Sequence, residues 1–312
     1  MSVSEYELMQ RAVDIVGTSP HPTNKIAAAL EVQGFEPIVR TNIWPPAIEK
    51  TLGITTRIGN SSGTIHAETV CLLDAPVTEG GRIFITDPPC PNCVKNMAEA
   101  GIKALYIDHK GFDKDWAQRR GDHFDHMSMQ ICEKAGISVY VIHRKDQKIE
   151  PVLVVPENFK PALEKPLRIE KIAGGNISQD VFKAYISARQ KDYGLEAFAL
   201  CFARNNLNEI FALSAQPHPT IGFTQKTMEE PEGKYSFIME PVNRLIMAAS
   251  RHNLEIEPGY LYSSRVPTAR EQVNMVGNGI QSVRIGDTTD SRDKDGLQAM
   301  TQLQAANVME YI

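Results

Sequence analysis

Four side chains in two short motifs have the chemistry of a catalytic metal site. His66 and Glu68 come from an HAE motif, and Cys90 and Cys93 come from a PCPNC motif further along the chain. One imidazole and two thiolates are ligands that zinc prefers, and a set of three leaves the fourth tetrahedral position open to water. Glu68 is not needed as a ligand and could move protons to and from that water. The pattern therefore predicts a catalytic zinc site rather than a closed structural one.

The sequence also predicts the elements that position these residues. His66 and Glu68 fall in the first turn of one predicted helix, and Cys90 and Cys93 flank the start of another. Because the positive end of a helix dipole stabilises an anion, both helix starts should favour thiolates and lower the cysteine pKa values. Pro89 stiffens the loop that enters the second motif and fixes the directions of the sulfur atoms.

Hydrophobic periodicity predicts alternating helices and strands through the first half of the chain. The predicted helices are 4–16, 66–73, 93–100 and 125–134. The predicted strands are 25–32, 37–43, 82–86, 104–108 and 138–143. The stretch 47–63 is predicted to be a long polar loop. Strands that alternate with helices indicate an α/β fold, which we expect to be a mixed five-stranded sheet flanked by helices.

The composition changes at residues 144–175, which contain four prolines and many charged residues. This stretch is typical of a connector with at most one hairpin. A new helical pattern begins near Ile177. We therefore predict a catalytic domain at 1–145, a linker at 146–175 and a second domain at 176–312, giving two α/β/α domains in tandem.

An internal repeat relates the second half of the chain to the first. The sequence at 81–107 aligns with 259–285 without a gap. Upstream, in the same order, 65–75 aligns with 238–248 and 41–48 aligns with 214–221. Such collinear matches favour a duplication, so the second domain is expected to repeat the fold of the first.

The candidate catalytic residues are not repeated in the copy. In this alignment the residues opposite His66, Glu68, Cys90 and Cys93 are Met239, Pro241, Thr268 and Glu271. Of these four residues only Glu271 could hold zinc or carry a proton. The second half is therefore predicted to be a degenerate domain without a metal.

Bulk composition narrows the class of protein. The chain has 312 residues, of which 42% are hydrophobic and 23% charged, as is typical of a globular protein. Its net charge of -5 disfavours a nucleic-acid partner, because phosphate contacts require clustered Lys and Arg. No apolar run approaches the roughly 20 residues of a membrane helix, and the first residues do not follow the pattern of a secretory signal. Five cysteines, two of them in one CPNC motif, do not suggest a disulfide framework. We expect a cytoplasmic protein with no membrane contact.

Residues 1–143 resemble the cytidine deaminase superfamily, and most closely its deoxycytidylate (dCMP) deaminase-like branch. The resemblance rests on the opening helix, the NIWP turn that begins at Asn42, the HAE motif, and PCPNC followed by AGI. H-x-E followed by P-C-x-x-C is the signature of zinc-dependent nucleobase deaminases. The resemblance implies that Asn42 contacts the sugar or base and that the Ala67 backbone N–H binds the base carbonyl. Trp44 either stacks on the base or wedges the loop into the core, and Pro89 completes the predicted substrate-binding set.

The resulting prediction is zinc-dependent hydrolytic deamination of the base of a free nucleoside or nucleotide. A cytosine-type base is the favoured substrate. Two alternatives remain open. The first is base editing of tRNA or single-stranded DNA, and the second is a non-catalytic regulatory protein stabilised by zinc. Members of the superfamily generally work as dimers or larger assemblies, so a homodimer through or beside the fused copy is a further expectation.

Overall fold

The computed structural model describes residues 3–112, 124–175, 177–228 and 235–312. The helices are α1 (Glu5–Ile15), α2 (Pro46–Leu52), α3 (Ala67–Asp74), α4 (Pro91–Glu99), α5 (Met129–Ala135), α6 (Gln179–Tyr193), α7 (Pro241–Arg251), α8 (Ala269–Gly277) and α9 (Lys294–Ala305). The strands are β1 (Ala27–Glu31), β2 (Ile38–Thr41), β3 (Arg82–Ile85), β4 (Ala104–Asp108), β5 (Ser138–His143), β6 (Lys148–Leu153), β7 (Arg168–Lys171), β8 (Ala199–Asn205), β9 (Ile210–Ala215), β10 (His218–Pro219), β11 (Ile238–Met239), β12 (Leu254–Val266), β13 (Ser282–Ser291) and β14 (Glu310–Tyr311). Within these described ranges, no helix has the length and apolar character that a bilayer crossing requires.

The chain forms two compact units, each made of three separate stretches of sequence. Unit 1 comprises Met1–Ile43, His66–Glu164 and Pro219–Phe237. Unit 2 comprises Trp44–Ile65, Lys165–His218 and Ile238–Ile312. Each half of the chain therefore contributes one short stretch to the unit that is otherwise built by the other half. The functional division into a catalytic domain at 1–145, a linker at 146–175 and a degenerate domain at 176–312 stays a prediction.

Unit 1 contains a mixed six-stranded sheet in the order β2-β1-β3-β4-β5-β6. Strands β3, β4 and β5 run parallel to one another, and β1 pairs antiparallel with both β2 and β3. Parallel strands require crossover connections, which α4 and α5 supply. The candidate site residues lie on the segments that follow β2 and β3, so the sheet fixes where those segments begin.

Helix α1 packs on one face of this sheet. Leu8, Met9 and Ala12 are fully buried on it, and they pack against a core that includes Phe84 and Tyr106. The two rings are stacked with their centroids 4.5 Å apart. Successive strand side chains alternate between faces, so the buried neighbours of Phe84 in β3 point to the opposite face. Both faces of the sheet are therefore covered.

Unit 2 repeats this topology. Its sheet has the order β14-β13-β12-β8-β9-β7, and the run from β9 to β14 matches the run from β2 to β5 in strand order and direction. Helices α6, α7, α8 and α9 follow the same chain order as α1, α3, α4 and α5. The shared five-stranded arrangement agrees with the repeat seen in the sequence and with the predicted α/β class.

The predicted count of five strands in each main sheet is wrong, because each of the two large sheets has six; a separate two-stranded sheet pairs β10 with β11. In unit 1 the extra strand is β6, which lies in the predicted linker and pairs antiparallel with β5 across a tight turn at residues 144–147. In unit 2 the extra strand is β7, which also lies in the predicted linker and pairs with β9. Both strands come from a Pro-rich stretch and sit at sheet edges, where a missing N–H is tolerated.

Two further predictions of secondary structure were wrong in part. The stretch 47–63, expected to be a loop, overlaps α2, which starts with a proline at its first turn and buries Ile48. Proline is well suited to the first turn of a helix, because its N–H would be unpaired there in any case. The expected helix at 125–134 is a π-helical turn at Phe124–Ser128 followed by α5.

The stretch 219–237, from the second half of the chain, packs within unit 1. Phe223 and Phe237 are buried on it with ring centroids 4.7 Å apart. Gly222 has φ +95°, and a Cβ there would lie 2.0 Å from the carbonyl oxygen of Lys134 in α5, so only glycine fits. The Lys95 ammonium of α4 donates to the carbonyl of Ser236 over 2.7 Å. This stretch therefore contacts the helix that carries Cys93.

The stretch 44–65, from the first half, packs within unit 2 in a similar way. Gly59 has φ +53°, and a Cβ there would lie 2.3 Å from the carbonyl oxygen of Asp295 in α9. The Gly59 N–H donates to Gln302 of α9 over 2.8 Å. Arg270 of α8 donates to the carbonyl of Thr64 over 2.5 Å. In each unit, a cationic side chain of the matching helix thus holds a backbone carbonyl near the end of the incoming stretch.

Candidate metal and catalytic site

The three predicted zinc ligands lie at the starts of two helices in unit 1. His66 is the N-cap of α3, and Cys90 is the N-cap of α4. Cys93 is the third residue of α4. Pro91 at the first turn of α4 restricts Cys90 to an extended conformation, with φ -77° and ψ 160°, which ends the preceding loop at the ligand. The HAE and PCPNC motifs thus bring both helix starts to one place.

The donor atoms of this set have the spacing of a zinc site. His66 Nδ1 lies 3.3 Å from Cys93 Sγ and 3.6 Å from Cys90 Sγ, and the two sulfur atoms are 3.6 Å apart. Tetrahedral zinc requires about 3.8 Å between two sulfurs and about 3.6 Å between sulfur and nitrogen. Within the described part of the chain, this is the one group of three His, Cys, Asp or Glu residues close enough to share an ion. The residues present fit zinc and leave one coordination position unfilled by them.

Glu68 is buried beside this set. Its carboxylate Oε1 lies 4.0 Å from His66 Nδ1, and its side chain is only 2% exposed. The Oε2 atom is buried without a hydrogen-bond partner among the described residues. Burial raises the pKa of Glu68, the positive charge of His66 opposes the rise, and negative charge on Cys90 adds to it. A buried carboxylate with an unpaired oxygen is equipped to exchange a proton with a molecule bound next to it.

The expectation that the helix starts lower the cysteine pKa values does not hold for Cys93. Burial raises the pKa of its thiol well above the ordinary value, and the hydrogen bond from Cys90 and negative charge on Cys90 add to the effect. Desolvation is the largest cause of this rise. A bound cation would supply the positive charge that a buried thiolate needs.

A hydroxyl and an amide that the sequence analysis did not single out contact this set. Thr69 Oγ1 donates to Cys93 Sγ over 3.6 Å, and Asn96 Nδ2 donates to Thr69 Oγ1 over 3.2 Å. Thr69 directly follows the HAE motif, and Asn96 lies three residues after Cys93 on the same helix face. This spacing is the signal in the sequence that could have identified them.

Asn42, a predicted substrate-binding residue, lies in unit 1 and is buried. Its Oδ1 accepts hydrogen bonds from Ser19 Oγ over 2.8 Å and from the Ile26 N–H over 2.9 Å. Its Nδ2 donates to the carbonyl of Asn24 over 3.0 Å. The amide therefore fixes the loop that precedes β1, and its predicted contact with a substrate is untested.

The remaining predicted substrate-binding residues are not all in one unit. Ala67 is the first residue of α3 and is fully buried, and the Pro89 carbonyl accepts a hydrogen bond from Ser128 over 3.1 Å. Trp44 belongs to unit 2, where it is 4% exposed and lies against Gly63. Of the eight predicted site residues, the structure brings together the three candidate ligands and Glu68, with Ala67 between two of them in sequence.

His21 is a third residue that the sequence analysis did not single out. Its Nδ1 accepts hydrogen bonds from the backbone N–H groups of Thr23 and Asn24, over 3.3 and 2.9 Å. An accepting Nδ1 leaves the ring proton on Nε2. Burial lowers the pKa of His21, and the positive charge of His66 lowers it further. His21 is thus held within electrostatic range of the candidate site.

The equivalent place in unit 2 is arranged differently. Glu240 is the N-cap of α7, Thr268 is the N-cap of α8, and Glu271 is the third residue of α8. Matched by helix position, these three residues stand opposite the three candidate ligands. Glu240, and not its neighbour Met239 from the sequence alignment, therefore occupies the place of the histidine. That the copy holds no metal stays a prediction.

In unit 2 a carboxylate joins the two helix starts. Glu271 Oε1 accepts from the Val242 N–H over 2.9 Å, and its Oε2 accepts from the Thr268 N–H and hydroxyl over 2.8 and 2.9 Å. Burial raises the pKa of Glu271 to about 7, with the nearby charge of Glu240 adding to the rise. Glu240 is itself paired with Arg292 over 2.9 Å. The copy thus satisfies both helix starts with one of its own side chains.

Comparison with known proteins gives partial matches. No protein-family model matches this chain. Over 128 residues the chain is 27% identical to an uncharacterized deaminase from the luxG 3′ region of Aliivibrio fischeri, a match that covers 40% of this chain and 85% of that protein. It is 31% identical over 80 residues to ComE operon protein 2 of Bacillus subtilis, covering 24% of this chain and 36% of that protein. It is 29% identical over 106 residues to tRNA(Ile)-lysidine synthase of Thermus thermophilus, of which the chain spans 20%.

Among solved structures, the chain matches the dCMP deaminase of the cyanophage S-TIM5. The apo form is 23% identical with a TM-score of 0.30, and the match covers 46% of this chain and 100% of that one. The form in complex with dCMP and dUMP is 22% identical with a TM-score of 0.29, and the match covers 43% of this chain and 93% of that one. The match to the Aliivibrio deaminase supports the resemblance to the deaminase superfamily that the motifs indicate.

Proposed function

We propose that this chain is a zinc-dependent hydrolytic deaminase that removes the exocyclic amine from the base of a free nucleoside or nucleotide, with a cytosine-type base as substrate. The observation that carries the proposal is the site in unit 1. Three donor atoms suited to zinc lie within 4.8 Å of one another, and the buried carboxylate of Glu68, which is not needed as a ligand, lies beside them. A structural zinc site would use a fourth protein ligand instead.

In this proposal His66, Cys90 and Cys93 hold Zn²⁺, which supplies a Lewis acid that lowers the pKa of a coordinated water to near 7. Glu68 does the proton chemistry of the chain. Its carboxylate would accept one proton from the attacking water and deliver it to a ring nitrogen, then accept the second proton from the same oxygen and deliver it to the departing amine. The water oxygen ends on the ring carbon, and the amine leaves as ammonia, so atoms and charge balance.

Ala67, Asn42 and Pro89, which all lie in unit 1, are proposed to hold the base and sugar. The N–H of Ala67 is at the first position of α3, where a helix makes no internal bond to it, so it can donate to a base carbonyl. By resemblance, Asn42 would contact the sugar or base. The similarity of the chain to a deaminase over most of that protein's length supports deamination as the reaction.

The proposal is tested by ammonia release from the zinc-loaded protein. The panel contains cytidine, deoxycytidine, their monophosphates, the adenine and guanine counterparts, and short single-stranded oligonucleotides. We expect release from a cytosine monomer, and loss of at least about 100-fold in kcat for Glu68→Gln, because it removes the general acid and base. Zinc content should be unchanged in that variant, since Glu68 is not a ligand.

Each alternative predicts a different outcome of the same assay. Release from oligonucleotides with none from monomers would replace the proposal with polynucleotide editing, and activity should then fall steeply with salt. Unchanged function in Glu68→Gln, together with a fourth protein ligand in the metal spectrum, would replace it with a non-catalytic zinc protein. The net charge of -5 favours the monomer substrate over a polyanion.

A further inference from the structure

We propose that Thr69 and Asn96 position the Cys93 sulfur as a metal ligand and set how tightly the metal is held. The inference rests on the proposed zinc site, because it concerns one ligand of that site. Neither residue is one of the three candidate ligands. Their contacts are the reason to assign them this role.

The two residues form a short chain of hydrogen bonds that ends on the sulfur. Asn96 Nδ2 donates to Thr69 Oγ1 over 3.2 Å, and Thr69 Oγ1 donates to Cys93 Sγ over 3.6 Å. All three side chains are at most 5% exposed, so water does not compete for these bonds. The chain runs between the starts of α3 and α4, which also carry the candidate ligands.

The direction of the bonds follows from the donors available. A thiolate can only accept, and a threonine hydroxyl has one proton to give. When Asn96 donates to the lone pair of Thr69, that proton is left for the sulfur of Cys93. Residues that are not ligands themselves but donate hydrogen bonds to a metal ligand orient that ligand and adjust its electron density. The loss of such a bond costs about 10- to 100-fold in metal affinity.

The corresponding residues of unit 2 show which of these contacts also occurs where no candidate ligand is present. Asn243 occupies the place of Thr69 as the third residue of α7, and Asn274 occupies the place of Asn96 as the sixth residue of α8. Asn274 Nδ2 donates to Asn243 Oδ1 over 3.0 Å, so the same two helices are joined there too. In this copy no sulfur follows, and the hydroxyl is replaced by an amide. The bond between the helices therefore belongs to the fold, and the Thr69 hydroxyl belongs to the metal site.

The test uses the full chain and two substitutions at Thr69. Thr69→Val keeps the shape and removes the hydroxyl, and Thr69→Ser keeps the hydroxyl. Zinc affinity is measured by competition with a chelator, and the cobalt-substituted protein is measured by its thiolate-to-cobalt charge-transfer band. For Thr69→Val we expect affinity about tenfold weaker and a band moved to longer wavelength, because the sulfur has lost a donor. Thr69→Ser should match the wild type in both.

Two asparagine variants provide the matched control. Asn96→Leu should weaken metal binding as Thr69→Val does, because the hydroxyl is no longer oriented toward the sulfur. Asn274→Leu removes the corresponding amide in unit 2 and should leave zinc affinity and the cobalt band unchanged. Thermal unfolding of all four variants reports whether a change in affinity follows from a loss of fold.

The outcomes distinguish this inference from the proposed function. A wild-type cobalt protein with thiolate bands, and identical bands and affinity in Thr69→Val, would overturn the inference and leave the zinc site in place. Equal loss of affinity in Asn96→Leu and Asn274→Leu would overturn it as well, because general destabilisation would then account for both. A wild-type protein without thiolate bands would overturn the inference and the proposed function together.

Discussion

The buried carboxyl group of Glu271 should make the stability of the protein depend on pH. The carboxyl is fully buried, its pKa is raised from 4.5 to about 7 by burial, and Glu240 is the charged group that adds to the rise. A folded state with the higher pKa binds the proton more tightly than the unfolded state does. The stabilisation is therefore complete below about pH 4.5 and is lost as the pH rises through about 7.

The size of the effect follows from the two pKa values. The interval from 4.5 to about 7 corresponds to a change of about 3 kcal/mol in the free energy of unfolding. Glu271→Gln replaces the carboxyl by an amide that does not titrate. The difference in unfolding free energy between wild type and variant should therefore fall by about 3 kcal/mol as the pH is raised from about 4 to about 8.

Denaturant unfolding of both proteins at each pH measures this difference, and other titrating groups cancel because the two chains share them. Glu257→Gln, which changes a carboxylate that is paired with Arg204 in the same unit, controls for the loss of a charge. Glu240→Gln should move the transition to lower pH, because it removes the neighbouring negative charge. Parallel pH curves for wild type and Glu271→Gln would refute the reasoning.

Three further predictions concern the packing of the fold, and each is tested by substitution. Gly222→Ala should lower the free energy of unfolding by several kcal/mol. Gly34 is also at positive φ but has open space around it, so Gly34→Ala should lower it by about 1 kcal/mol. Equal losses of stability in thermal unfolding would contradict the close approach of Gly222 to α5. Lys95→Met should cost about 1–3 kcal/mol, because the Ser236 carbonyl loses its donor; an unchanged denaturation midpoint would argue against this anchor. Arg244→Met should cost about 3 kcal/mol, because this buried guanidinium donates to two backbone carbonyls in unit 2; a stability gain would show that its desolvation outweighs both bonds.

Motif spacing was enough to predict the four central residues of the site. A histidine and a glutamate two apart, followed by two cysteines three apart, define ligand geometry almost without reference to the rest of the fold, and the structure places His66, Glu68, Cys90 and Cys93 together. The contact between Thr69 and Asn96 was not predicted, because it joins two helices whose approach depends on the whole sheet. Their types alone do not distinguish them from ordinary helix residues.

The elements of the fold were predicted best where the apolar pattern is strong. Helix α1 and strands β3, β4 and β5 lie close to their predicted bounds, since each has a regular buried face. Strand β6 was missed because proline and charged residues dominate a strand that is paired on one side only. Which unit the stretch 44–65 packs in could not be predicted, since a polar loop carries no periodic signal for the surface it will contact.

The stretches 44–65 and 219–237, which each pack in the unit built mainly by the other half of the chain, also limit how such a protein could evolve. Deleting the second half of the gene would remove residues 219–237, and with them the buried aromatic pair and the glycine that complete unit 1. It would also leave residues 44–65 without the helices α8 and α9 on which they pack. Loss of either half would therefore leave both units incomplete, so the two halves of the chain are expected to be inherited together.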